Sequence, residues 1–198
     1  MALIKEFFIE LDRHWKQTQE QRIPLRVIGS AALMLHTEYE RRTKDSDVIE
    51  TDFITEPVRK ALLDIAGKKT EFHSRYGMYL DIVPRATPFL PHPPSYRTVD
   101  SLKGLRNFAV DALDTVDVAV SKLKRFNASD ADDVAAMVNM GAVGHEQFID
   151  RLKSAVDGYS LDARAEDLPK VIANFHTVER DCYQAPETEI PLPDWMQD

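Results

Sequence analysis

A single cysteine, Cys182, among 198 residues leaves no partner for an intramolecular disulfide. Stapled secreted mini-domains are thereby excluded, and the chain has no need of such staples, because its length supports a sizeable core. Long apolar runs are also missing: none approaches the length that spans a bilayer, and no signal peptide is evident, so the expected compartment is the cytoplasm, with no membrane partner. The six histidines, at 14, 36, 73, 92, 145 and 176, show no H-x-x-x-H or Cys/His spacing, which argues against zinc. A surplus of positive charge is lacking as well. The net charge of -8 repels polyanions overall and disfavours tight non-specific nucleic-acid binding unless charge is segregated. What is present, 43% hydrophobic and 29% charged residues, is the composition of a folded, water-soluble globular protein.

Along the chain, residues 2 to about 20 carry Leu3, Phe7, Phe8, Leu11 and Trp15 at helical spacing, which predicts an amphipathic first helix. "PLRVIG" reads as a buried strand entering a turn at Gly29, and "SAALMLH" as the helix behind a capping Ser30. "DSDVIE" reads as a second strand, "EPVRKALLDIAG" as a helix closed by Gly67, and "TEFHSRYGMYLDIVP" as two strands joined near Gly77. The first half is thus α+β or α/β. The prolines of "PRATPFLPHPPS" forbid a regular element and mark a seam. After a strand at "NFAVDA" come four helical stretches, "DTVDVAVSKLKRF", "ASDADDVAAMVNMG", "HEQFIDRLKSAVDG" and "AEDLPKVIANFHTVERDCY", the last beginning near Pro169. Three prolines make the tail from Gln184 either frayed or extended on a neighbouring surface. The implied organisation is a core over residues 1–110, a helical region over 111–182 and an extended tail over 183–198.

The chemistry is concentrated in "VIGSAALMLHTEYERRTKDSDVIE". Side chains alternate along a strand, so Asp45 and Asp47 share a face and Ser46 takes the other. Two adjacent carboxylates suit a hard divalent cation such as Mg²⁺, which fills its remaining positions with water or phosphate oxygens. The Gly29-Ser30 turn at a helix N-terminus offers backbone N–H groups to an anion. Such a pairing is what phosphoryl or nucleotidyl transfer requires. Asp81, an acid within an apolar strand, is the candidate third ligand.

The order of glycine turn, helix, acidic pair and later single Asp resembles the DNA polymerase β-like nucleotidyltransferase superfamily. It looks closest to AbiEii-type abortive-infection toxins and their uncharacterised bacterial relatives. These carry an arginine and a Ser or Thr ahead of the acidic pair, places held here by Arg42 and Thr43, and a downstream K-x(7)-D-x-x-D element, matched by Lys122, Asp130 and Asp133. The resemblance spans residues 24 to about 140. It implies an α+β fold: a nucleotidyltransferase core with a small mixed sheet flanked by helices, then a C-terminal helical bundle. It further implies that Gly29 and Ser30 hold a triphosphate and that Asp45, Asp47 and Asp81 bind Mg²⁺ or Mn²⁺, with Asp81 helping to deprotonate an acceptor hydroxyl. Arg42, Thr43, Lys122 and Asp130 complete the implied nucleotide site, Arg42 and Lys122 as phosphate contacts. The activity implied is transfer of a nucleoside monophosphate from an NTP to a hydroxyl or phosphate acceptor, on tRNA or protein, by a toxin with a cognate antitoxin. The alternative is a catalytically weak protein of the same fold acting as a sensor or antitoxin-like partner. The chain departs from the pattern at Ser46, where relatives have an apolar residue, at Ser30, where many have a second glycine, and at Arg125, which is shifted from the arginine found between the downstream Lys and Asp.

Several residues have blander readings. His36 is expected to cap a helix or lie at the surface, Cys182 to be inert, and Met137, Met140 and Phe148 to be core. A helix capped at Ser129 is the plain explanation of the "SDADD" cluster. "ERRTK" is the most basic run, either a solvated surface or a substrate-phosphate contact.

Overall fold

The computed structural model describes residues 3–17, 20–37, 39, 43–159, 164–192 and 194–196. The chain forms two compact units, one of residues 1–87 and 96–114, the other of 88–95 and 115–198.

In the first unit, helix α1 (Leu3–His14) ends sooner than its apolar pattern suggests. Its buried stripe of Ile4, Phe7, Phe8 and Leu11 seats Phe7 edge-on against Phe72 and Tyr76, with ring centres 5.9 and 5.8 Å apart. Trp15, just past the helix, packs on Phe108. Asp12 is buried because its two carboxylate oxygens accept the backbone N–H groups of Arg106 and Asn107, at 3.0 and 2.8 Å. Then follow β1 (Ile23–Val27), α2 (Gly29–His36), β2 (Asp45–Ile49), α3 (Glu56–Ala66), α4 (Glu71–Tyr76), β3 (Tyr79–Val83), β4 (Tyr96–Thr98) and β5 (Phe108–Leu113). The strands form one mixed sheet in the order β3-β2-β1-β5-β4. β1 runs antiparallel to β2 and parallel to β5, β2 runs parallel to β3, and β4 runs antiparallel to β5. The α+β expectation with a small mixed sheet holds.

Two elements differ from the sequence reading. Residues 71–76 are helical and not a strand: the Thr70 hydroxyl accepts the His73 N–H, Gly77 closes the turn at φ 66°, and Phe72 and Tyr76, four residues apart, bury on one face. The short strand β4 and a 3₁₀ turn at Asp100–Leu102 lie in a stretch to which the sequence reading assigned no element.

In the second unit, α5 (Thr115–Lys122), α6 (Ala128–Asn139), α7 (His145–Tyr159) and α8 (Leu168–Val178) occupy the four helical stretches; α5 packs on α6 and α7, and α6 on α8. The cap of α6 is Asn127, not Ser129: its side chain accepts the Asp130 N–H while Asp130 reaches back to the Asn127 N–H. Met137 and Phe148 are core, but Met140, at the exposed C-terminal end of α6, is not. The second half of the proline-rich stretch belongs to this unit, with Phe89 against the Tyr159 ring and the Ser95 N–H on the buried carboxylate of Asp117, which also pairs with Arg151. After α8 a wide turn (Glu179–Tyr183) leads into an extended tail that carries a short 3₁₀ turn at Asp194–Met196. The tail is tied down: buried Glu179 accepts from the N–H of Thr188 and from His145, and Ile190 is buried. Burial alone pushes the Glu179 carboxyl up, but the Thr188 and His145 bonds outweigh it and hold the group below the usual range.

Candidate functional site

The parallel ladder of β2 and β3 pairs Asp47 with Asp81 and Asp45 with Tyr79. Register partners in a ladder share a face, so all three carboxylates lie on one side of the sheet, on adjacent strands about 4.8 Å apart. Asp45 and Asp81 are exposed and Asp47 is half-buried. Ser46 is fully buried on the opposite side, where its hydroxyl has no hydrogen-bond partner among the described residues. The Thr43 hydroxyl donates to Asp45 Oδ1 at 3.0 Å and to the Asp45 carbonyl at 3.1 Å, fixing the start of β2.

The turn after β1 meets these acids directly. The Ile28 N–H donates to the Asp47 carbonyl at 2.9 Å, and Gly29 follows at φ +63°, a conformation that side chains disfavour. A Cβ at Gly29 would stand 3.3 Å from Asp47 Oδ2, so glycine is what lets the backbone run this close to the carboxylate. α2 opens at this point with Ile28, and not Ser30, as its N-cap, and the Ile28 side chain makes no capping bond. The N-terminus of α2, the positive end of the helix dipole, thus lies beside the Asp47 carboxylate.

Tyr79, which sequence reasoning passed over, stands in the same row. The signal was available: Tyr79 and Asp81 alternate in "MYLDIVP" and must share a face. Burial raises its hydroxyl pKa, and the negative charges of Asp45, Asp81 and Asp47 raise it further, so the phenol stays protonated. The His73 ring meets it edge-on at 5.1 Å, and Lys68 Nζ lies 5.8 Å from the ring centre.

Among the described residues, no three His, Cys, Asp or Glu side chains are drawn together as a ready-made metal centre. The donor set nonetheless has the right chemistry for a hard divalent ion: three carboxylates on one face, no softer ligand, and a side-chain-free turn beside them. Arg42 lies outside the described residues. Lys122 and Asp130 belong to the second unit, where the Lys122 ammonium, 6% exposed, pairs with Asp133 Oδ2 at 2.6 Å and Asp130 Oδ1 at 3.4 Å. Arg125 donates from Nε and an Nη to both oxygens of Asp130. Burial works against the Asp130 charge, but Arg125, Lys122 and the Asn127 N–H outweigh it and lower the pKa. Both residues thus hold α5 to the capped start of α6. His36 is a half-buried helix-end residue whose Nε2 meets the Ala112 carbonyl at 3.1 Å. Burial lowers its pKa, with a smaller contribution from Arg97. A cavity of about 570 Å³ lined by Asp12, Trp15 and the 104–107 segment contains none of the predicted site residues.

Three carboxylates on β2 and β3 beside a glycine turn at a helix N-terminus are the kind of arrangement that nucleotidyl transfer uses. The family comparison agrees over most of the chain. Residues 6–180 match the model of the family described as "Nucleotidyltransferase of unknown function (DUF6036)", and the chain belongs to that family. No curated protein and no solved structure gave a significant match. No helix among the described residues is long and apolar enough to cross a membrane.

Proposed function

We propose that this protein is a divalent-metal-dependent nucleotidyltransferase that moves a nucleoside monophosphate from an NTP to a hydroxyl or phosphate acceptor. The observation that carries the reading is the register of Asp47 against Asp81, with Asp45 on the same face and the Gly29 backbone packed against Asp47. Mg²⁺ or Mn²⁺ would be held by Asp45, Asp47 and Asp81, and when bound it supplies charge neutralisation at the transferred phosphoryl group. The chain's own contributions are positional. The amides at Gly29 and Ser30 hold the leaving polyphosphate, Thr43 orients Asp45, and Asp81, on the exposed edge strand, takes the proton of the incoming hydroxyl. Motif order shared with the abortive-infection toxins extends the proposal to a toxin acting on tRNA or protein beside a cognate antitoxin.

The test is incubation of the protein with each α-³²P-labelled NTP, Mg²⁺ or Mn²⁺ and a cell extract. Label should transfer to a discrete RNA or protein band with wild type and fall at least about a hundredfold with Asp47→Asn or Asp81→Asn, in line with loss of a metal ligand or catalytic proton acceptor. Absence of transfer with every NTP and both metals would defeat the proposal.

A further inference from the structure

At the level of Asp47 the carboxylate face is buried towards β1 and β5 and open towards β3. Beside Asp47, Ile28 and Leu113 are 7% and 0% exposed and Ile49, next along the face of β2, is buried too, whereas Arg26, the ladder partner of Ile49 farther from the turn, is exposed and lies over the Tyr96 ring. Towards β3 the face stays accessible. β3 is the outermost strand, and Lys44, Asp45, Lys68 and Asp81 around it are all exposed. A nucleotide whose phosphates lie between Gly29 and the three aspartates therefore finds room for its nucleoside at the β3 edge.

Tyr79 occupies that edge. Its ladder partner is Asp45, it shares the face of Asp81 two residues on, and it is half-buried, so its ring borders the phosphate site while remaining partly accessible. The ring is held from outside the sheet. Thr70 caps α4 through the His73 N–H, the His73 Nδ1 accepts the Lys69 N–H at 3.1 Å, and the imidazole so fixed stands edge-on to Tyr79. With Nδ1 taken up by that bond, Nε2 is the ring nitrogen left to face the platform. Lys68, exposed and on a flexible stem that can swing aside, holds its Nζ over the ring, 5.8 Å from the centre.

We infer that Tyr79 is the nucleobase platform of this site: its ring stacks on the base of a bound nucleoside triphosphate, with His73 edge-on beside it and the flexible Lys68 giving way to the base. The inference rests on the nucleotidyltransferase reading and adds to it the residue that distinguishes a nucleotide from a bare polyphosphate. A neutral phenol suits this place, since a second cation would compete for the aspartates, whereas an aromatic ring attracts every base through its π-face.

Calorimetric titration separates the two claims. ATP, GTP, CTP, UTP and inorganic tripolyphosphate are each titrated, with Mg²⁺, into wild type, Tyr79→Ala, Tyr79→Phe and Tyr79→Trp, after melting curves have confirmed that each variant is folded. Tyr79→Ala should weaken ATP and GTP at least about fivefold, the lower end of what one base–aromatic stack contributes, and leave tripolyphosphate unchanged. Phe and Trp should keep the wild-type affinity or improve it. Equal ATP affinity in wild type and Tyr79→Ala, or a parallel loss of ATP and tripolyphosphate, overturns the platform. Wild type that binds tripolyphosphate as tightly as every NTP also overturns it, while leaving the metal and phosphate site standing. Wild type that binds none of the five overturns the nucleotide reading together with this one.

Discussion

Ser46 offers a direct test of which way β2 faces. It sits between two site carboxylates, yet it is fully buried, its ladder partner Leu80 is buried with it, and its hydroxyl has no partner among the described residues. An unsatisfied buried polar group costs about 1–3 kcal/mol. Ser46→Ala removes that penalty and leaves a hydroxyl-sized void, worth roughly 0.3 kcal/mol at about 24 cal/mol per Å³. The variant should therefore be more stable than wild type by about 1 kcal/mol, which for a protein of this size raises Tm by about 2–4 °C. Asp45→Ala, one residue away on the exposed face, should change stability by less than about 0.5 kcal/mol. Scanning calorimetry of the two variants beside wild type reads both numbers. A lower Tm for Ser46→Ala, or an Asp45→Ala that melts like a core truncation, would mean that the faces of β2 are assigned the wrong way round, and the carboxylate site would go with them.

Gly29→Ala forces a side chain into a left-handed backbone and against Asp47 Oδ2; it should lose about 1–2 kcal/mol in chemical denaturation and weaken NTP binding in the same titrations. Lys122→Met leaves the Asp130 and Asp133 carboxylates buried without their ammonium and should cost about 3–5 kcal/mol; an unchanged melting curve would return Lys122 to the pool of free phosphate contacts. Glu179 has a folded pKa below its unfolded one, so its stabilising contribution is complete above the unfolded value near 4.3 and is lost as pH falls through the lower folded value. Melting curves between pH 7 and 3 should accordingly show a smaller acid-side loss for Glu179→Gln than for wild type, from a lower starting stability; parallel curves would refute the assignment.

Much of the framework is legible in local pattern. The strand at Ile23–Val27, the glycine turn, the helix behind it and the Asp-x-Asp strand follow from period-two and period-3.6 spacing and from glycine at the turn. Where local signals compete, the pattern misleads. "TEFHSRY" alternates well enough for a strand, and only the burial of Phe72 and Tyr76 together against Phe7 makes it a helix. β4 is three residues long, too short to have a period, and exists because β5 offers it an edge.

The sequence by itself determined that Asp45 and Asp47 share a face, that Gly29 ends the strand before them, and that Asp130 and Asp133 fall one helical turn apart. Each is a statement about neighbours a few residues away, and backbone geometry settles those. Only the tertiary structure decided that Asp81 stands opposite Asp47, that Tyr79 completes the row, and that Lys122 is enclosed by two carboxylates. Strand order and register are chosen by the packing of the whole buried face, in which Ser46, Val48, Leu80 and Ile82 must meet the same core, and no local window contains that information.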